Sequence, residues 1–211
     1  MATVPSRPNA LPRNFPAIPG NYSDALFRLQ IETARRYLFE TELKEVLELS
    51  EIPLEILQPD SGDIALTVYQ IACFMQHLRV ITGDVKAVAF GRDAFEGCTS
   101  LIGRTANVSP LLRAVSSADK LFLRVRDAMN GLNRQVGTNV LVKWHGGAES
   151  ELFEDTGQHC YGYHHDAPIC HTLTGFLEES IVYLSGVKVT LHETECMAHG
   201  ALTCRWHCEL A

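Results

Sequence analysis

The chain predicts an α+β fold, with a layer of helices packed on a C-terminal antiparallel sheet that has one helix between its strands. Three observations lead there. Apolar residues recur at helical spacing as far as residue 134, and from Gly137 the pattern changes to alternation. Helices come first and strands second, so no βαβ alternation calls for a parallel sheet. At 211 residues, 46% apolar and 20% charged, the chain suits one domain with a sizeable core.

Residues 1–20 hold Pro5, Pro8, Pro12, Pro16 and Pro19 with little apolar periodicity, and read as an extended arm. Residues 21–211 read as a single domain. A helix is expected from Ser23, a plausible N-cap, through Leu26, Leu29, Ala34, Leu38 and Leu43 to about Leu49. Pro53 and the 59–62 segment break the pattern. A second helix, apolar on most sides, is expected over 64–81 with its stop at Gly83, and a third over 84–102. Ser109 and Pro110 open a fourth that reaches about Arg134. Residues 138–145 and 149–156 read as two strands of a hairpin, and 158–166 as a third strand or a loop. A helix over 170–184 then leads to a closing hairpin, 187–193 with 202–210, around Gly200.

The formal charge of -7 opposes attraction to a phosphate backbone, which argues against nucleic acid as a partner. Arg79, Lys86 and Arg92 interrupt the most hydrophobic region, so no membrane span is expected. The first residues do not follow the plan of a secretory signal, which points to the cytoplasm. Seven cysteines in such a compartment are expected to stay reduced. Cys73 and Cys98 sit in apolar helical patterns and read as small buried hydrophobes. The other five, at 160, 170, 196, 204 and 208, fall in the last third, with seven of the nine histidines.

Alternation puts Val187, Val189, Leu191 and Glu193 on one face of a strand, so Glu193 ends the buried face and needs a cation or donors beside it. Leu202, Cys204, Trp206, Cys208 and Leu210 share the inward face of the last strand. Antiparallel pairing sets Cys204 near Glu193, with Cys196 in the connection and Cys170 at a helix start, where amide N–H groups favour thiolate. Cys170, Glu193, Cys196 and Cys204 therefore form a candidate set of ligands for a tetrahedral divalent ion such as zinc. Cys208, roughly 13 Å along the strand from Cys204, reads as core. Cys160 could replace Glu193. His192-Glu193-Thr194-Glu195-Cys196 lacks the second histidine of a zinc-hydrolase motif and reads as strand, so that chemistry is set aside.

These residues also carry a resemblance. Cys170-His-Thr-Leu-Thr-Gly175-Phe176-Leu177-Glu178, then Glu193-Thr-Glu-Cys196-Met-Ala-His-Gly200, then Cys204-Arg-Trp206 resemble the 4-vinyl reductase (V4R) domain, over about residues 137–211. Phenol-sensor domains of bacterial transcription activators and bacteriochlorophyll-biosynthesis proteins share that pattern. TRAPP transport-particle subunits share its helical plan.

The resemblance implies the ligand-binding fold of NO-signalling and Golgi-transport proteins. It implies a homodimer through the helices and a chamber for a hydrophobic, aromatic or tetrapyrrole-type small molecule. It implies a structural Zn2+ on Cys170, Glu193, Cys196 and Cys204, because four protein ligands leave no open position.

Trp144 and His145 at a strand end, with Tyr161 and Tyr163, are the candidate chamber residues, and His164 and His165 stand beside the tyrosines. The chain shows no glycine-rich dinucleotide loop, no convincing nucleophile–base pair and no flavin signature. The functions expected are a zinc-stabilised binding domain for sensing or delivery, or alternatively a 4-vinyl reductase or its substrate-presenting accessory. No catalytic residue is assigned.

Overall fold

Helix α1, Tyr22–Ala34, and helix α2, Glu40–Leu49, occupy the stretch that reads as one long helix in the sequence. The break falls at residues 35–39. There the Phe39 amide donates to Glu42 Oε2 at 2.8 Å and starts a new first turn, and buried Leu38 turns inward. The structure is a computed structural model and describes residues 22–58, 61–62, 64–102, 140–146, 149–154, 159–185 and 188–210. The expected arm at 1–20 and the expected helix at 109–134 lie outside the described residues.

Helix α3, Val68–Thr82, starts later than the apolar pattern suggests, because Thr67 and Gln70 cap it reciprocally. The Thr67 amide donates to Gln70 Oε1 at 2.9 Å, and the Gln70 amide donates to Thr67 Oγ1 at 3.1 Å. Gly83, at φ +85°, ends α3 and admits helix α4, Asp84–Ile102, at once.

The sheet has four antiparallel strands: β1 Val140–Gly146, β2 Glu149–Glu154, β3 Val189–Glu195 and β4 Cys204–Leu210, in the order β1-β2-β4-β3. Helix α5, His171–Ser185, lies between β2 and β3 in sequence. The architecture is thus α+β. Four helices precede the sheet among the described residues, but the first expected helix is two of them. Leu202, expected inside, is 93% exposed, because the last strand begins only at Cys204.

Two helices approach unusually closely. A side-chain carbon on Gly91 of α4 would sit 2.0 Å from the Thr172 carbonyl oxygen, and one on Gly175 of α5 would sit 1.9 Å from that of Val88. Backbone meets backbone at this crossing, which glycine alone permits. Phe95 of α4 meets Phe176 of α5 edge-on at 5.2 Å just beyond it. One continuous apolar core then runs from Leu26 to Cys208 and includes Phe27 against Phe74.

A buried carboxylate ties these layers together. Glu178 of α5 receives Arg92 Nη2 at 2.6 Å through Oε2, and its Oε1 accepts the Leu191 amide of β3 at 2.9 Å. Among the described residues no helix is long and apolar enough to cross a membrane.

Candidate metal centre

Three chain segments meet at the N-terminal end of α5. The loop 159–170 brings Cys160 and Cys170, the turn after β3 brings Cys196, and the first residue of β4 is Cys204. Local structure places each one. The His165 amide donates to the Ala198 carbonyl at 2.9 Å and stitches the loop to the turn. A short 3-10 turn, Met197–His199, ends at Gly200 with φ +92°, and returns the chain from Cys196 toward β4. Trp206, fully buried on β4, donates from Nε1 to Thr174 Oγ1 at 2.9 Å and anchors the strand against the first turns of α5.

The four sulfurs lie within 4.8 Å of one another and are all buried. Cys160 Sγ is 3.4 Å from Cys204 Sγ, while Cys170 Sγ is 3.5 Å from Cys204 Sγ and 3.8 Å from Cys196 Sγ. These are free thiols, far beyond bonding distance. A tetrahedral ion with metal–sulfur bonds of about 2.3 Å holds its sulfurs about 3.8 Å apart. Three of the sulfur pairs lie within about 0.4 Å of that spacing, and all four sulfurs lie within 4.8 Å of one another. The Met197 amide donates to Cys204 Sγ at 3.4 Å, the kind of N–H contact that steadies a thiolate.

Without a cation the corner is electrostatically awkward. Hydrogen bonds from Cys160, Cys170 and Cys204 hold the Cys196 thiol far below its ordinary range. Burial, with the neighbouring sulfurs, pushes the Cys170 thiol well up. A cation placed among these buried sulfurs would favour their thiolate forms.

Glu193 stands beside this quartet. Its Oε2 accepts the Cys170 amide at 2.9 Å, and its Oε1 is buried with no hydrogen-bond partner among the described residues. Burial, and then the nearby Cys196 sulfur, raise its pKa to about 9. Of the sequence-derived set, Cys170, Cys196 and Cys204 come together, and Cys160 supplies the fourth sulfur. Glu193 orients Cys170 through its backbone. Cys208 is buried on the same strand face, outside the quartet.

Of the candidate chamber residues, the side chains of Tyr161 and Tyr163 are described. Tyr163 is buried in the loop and Tyr161 packs half-buried against the core. Trp144 and His145 lie on β1, whose side chains fall outside the described residues. His164 is exposed, and His165 Nδ1 faces the Ala167 backbone at 3.1 Å.

No protein-family model matches the chain, and no curated protein matches it. Solved structures do, over nearly the whole length. An H-NOX protein from Shewanella oneidensis in the Fe(II)NO ligation state has a TM-score of 0.56 at 14% identity, covering 89% of this chain and 98% of that one. An unliganded Fe(II) H-NOX protein mutant from K. algicida matches with a TM-score of 0.56 at 9% identity, covering 89% and 96%. The S. oneidensis SO2144 H-NOX domain in its Fe(II)CO state matches with a TM-score of 0.51 at 14% identity, covering 88% and 97%. At such identities the likeness is one of fold.

Two expectations are corrected by these findings. The resemblance to the 4-vinyl reductase domain is not upheld, since the matching structures are H-NOX proteins and no family model supports it. The reductase, bacteriochlorophyll and tetrapyrrole readings rested on that resemblance and fall with it. The zinc cofactor is corrected as well, because the neighbours cited are described by iron ligation states and offer no zinc precedent. A short motif of cysteines, glycines and one glutamate records a turn and a helix start, and chains of different ancestry can share both.

His77 is the one histidine before residue 145, and its Nδ1 lies 3.3 Å from Ser50 Oγ. His159 is buried against Thr172, and burial lowers its pKa to about 3. Among the described residues, the one grouping of three or more metal-ligating side chains is the sulfur quartet. An ion held by several protein side chains fits there.

Proposed function

We propose that the chain is a small-molecule-binding sensory domain whose C-terminal corner is a tetrathiolate metal centre formed by Cys160, Cys170, Cys196 and Cys204. The observation that carries the metal reading is the sulfur geometry: four buried thiols from three chain segments at 3.4–3.8 Å contacts. Uncharged buried thiols gain only weak S–H contacts from such convergence, whereas a thiophilic cation releases their protons and binds all four. The donor set selects that class of ion and leaves the element to analysis.

Four sulfurs close a tetrahedron, so the ion's role is to fasten the loop, the turn and β4 to the start of α5. The binding half of the proposal draws on the fold, which the NO- and CO-ligated H-NOX proteins share. Catalysis is not part of it.

Elemental analysis of the full chain after purification tests the centre, together with uptake of Co(II) followed by its sulfur-to-metal absorption. The expected result is one ion per chain, and a Tm lower by more than about 10 °C after chelation. Cys160→Ser should lose the four-sulfur spectrum and Glu193→Gln should keep it. A chain that takes up no ion and is equally stable with and without chelator would overturn the centre. Native mass spectrometry of protein from its own cells tests the binding half, with a retained small molecule as the expected result.

A further inference from the structure

Gln76 of α3 is 1% exposed, and its amide reaches from the helical layer to the segment that carries two of the four sulfurs. Its Nε2 donates to the carbonyls of His159 and Ile169, the second at 3.1 Å. These carbonyls belong to the residues immediately before Cys160 and Cys170. Carbonyl oxygens only accept, so two of them on one amide determine which end of Gln76 is nitrogen. The other end, Oε1, accepts Arg79 Nη1 at 3.2 Å, and Arg79 Nε donates to Asp84 Oδ1 at 2.6 Å. His171 Nε2 lies 3.6 Å from the same Asp84 oxygen, which returns the network to the residue after Cys170. Inside the loop, His159 Nδ1 and Thr172 Oγ1 are 2.5 Å apart.

We infer that Gln76 is the positioning residue of the sulfur centre: one amide from α3 sets the spacing of Cys160 and Cys170, and through it the affinity of the corner for its ion. The affinity part rests on the metal reading above, and the spacing part does not. Both cysteines follow carbonyls that share a single donor group, so a shift of α3 moves the two sulfurs together. A structural bond that merely filled space would not join the two ligand-bearing ends of one loop. The same geometry gives the helical layer a route to the centre, because Arg79 and Asp84, which orient Gln76, sit at the α3–α4 junction.

The test uses the full chain with Gln76→Glu, which keeps the shape but places a second oxygen against two carbonyl oxygens, and Gln76→Met, which removes the donor. Phe74→Leu, a core change in the same helix, controls for lost stability. Two readouts are taken: Co(II) affinity and absorption by competition with a chromogenic chelator, and iodoacetamide labelling of each cysteine in metal-free protein. Both Gln76 variants are expected to bind Co(II) about 10–100-fold more weakly than the control, with a weaker sulfur-to-cobalt band. Labelling of Cys160 and Cys170 is expected to rise severalfold over the control. Gln76 variants that match Phe74→Leu in both readouts would overturn the inference. If the natural chain takes up no Co(II), the metal reading fails and labelling alone decides. A rise confined to Cys160 and Cys170 then upholds the positioning role, and no rise refutes it.

Discussion

The two ends of one contact tell different stories. One turn into α5, Gly175 lies against the backbone of α4 with no room for a methyl group, and nothing but close packing is required. At its N-terminal end, four buried sulfurs meet beside the Glu193 carboxyl group. The first region is complete as soon as the chain folds. On the metal reading proposed above, the second is completed by an ion. The difference teaches where to look for a response to surroundings: a packed crossing has one state, whereas a cluster of ionisable donors changes with its cation.

The largest effect is expected at the crossing. Gly175→Ala forces a carbon to 1.9 Å from the Val88 carbonyl oxygen, and backbone cannot yield as a side chain does. Thermal or denaturant unfolding should show a loss at or above about 3 kcal/mol. Gly62→Ala, with nothing within 4 Å, should stay within about 0.5 kcal/mol. A mild Gly175→Ala would mean that the crossing is as adaptable as the corner, and the comparison would collapse.

Next comes the carboxylate that joins α4, α5 and β3. Arg92→Met leaves Glu178 buried beside the Leu191 amide without its cation, and should cost about 2 kcal/mol in unfolding experiments. That figure lies below the usual cost of breaking a buried pair, because the Arg92 side chain is half exposed. Trp206→Phe, which removes the bond to Thr174, should cost about 1 kcal/mol and keep the Co(II) spectrum. Loss of that spectrum would show that Trp206 holds the corner itself.

The smallest effect concerns pH. The Tyr37 hydroxyl donates to Asp93 Oδ2 at 2.7 Å, and burial followed by this bond pushes its pKa up to about 12. A folded pKa above the unfolded value stabilises the protein below pH about 10, and this contribution disappears as pH rises through 12. Denaturation midpoints between about pH 9 and 11 should therefore fall slightly less in Tyr37→Phe than in the natural chain. Equal slopes would remove Tyr37 from the alkaline response.

The α+β order and the faces of β3 and β4 were legible in the sequence, because side chains alternate on a strand whatever lies around it. Val189 and Leu191 are buried, with Thr190 and His192 exposed beside them, and Cys204, Trp206 and Cys208 are buried on β4. The helix break at 35–39 was not legible. Its apolar residues keep helical spacing, and the interruption depends on local capping at Phe39.

The corner was legible in part, since four of the five C-terminal cysteines enter it, and the fourth sulfur was the open point. Cys160 precedes Cys170 by ten residues, and no periodicity in a loop says where it folds back. Gln76 carried no mark, and Glu178 stood in the quoted motif without its role showing, because nothing in a helical sequence tells a buried clamp from a solvated side chain. The contact made by Gly91 and Gly175 was invisible for the same reason, although Gly175 stands in the quoted motif.

Composition thus determined the richness in sulfur, and local stereochemistry the order of element types and most inward faces of β3 and β4. The tertiary structure decided which sulfurs share a corner, which carboxylate stands beside it and which amide holds it. Those choices depend on distances across the chain, and a linear pattern does not contain them.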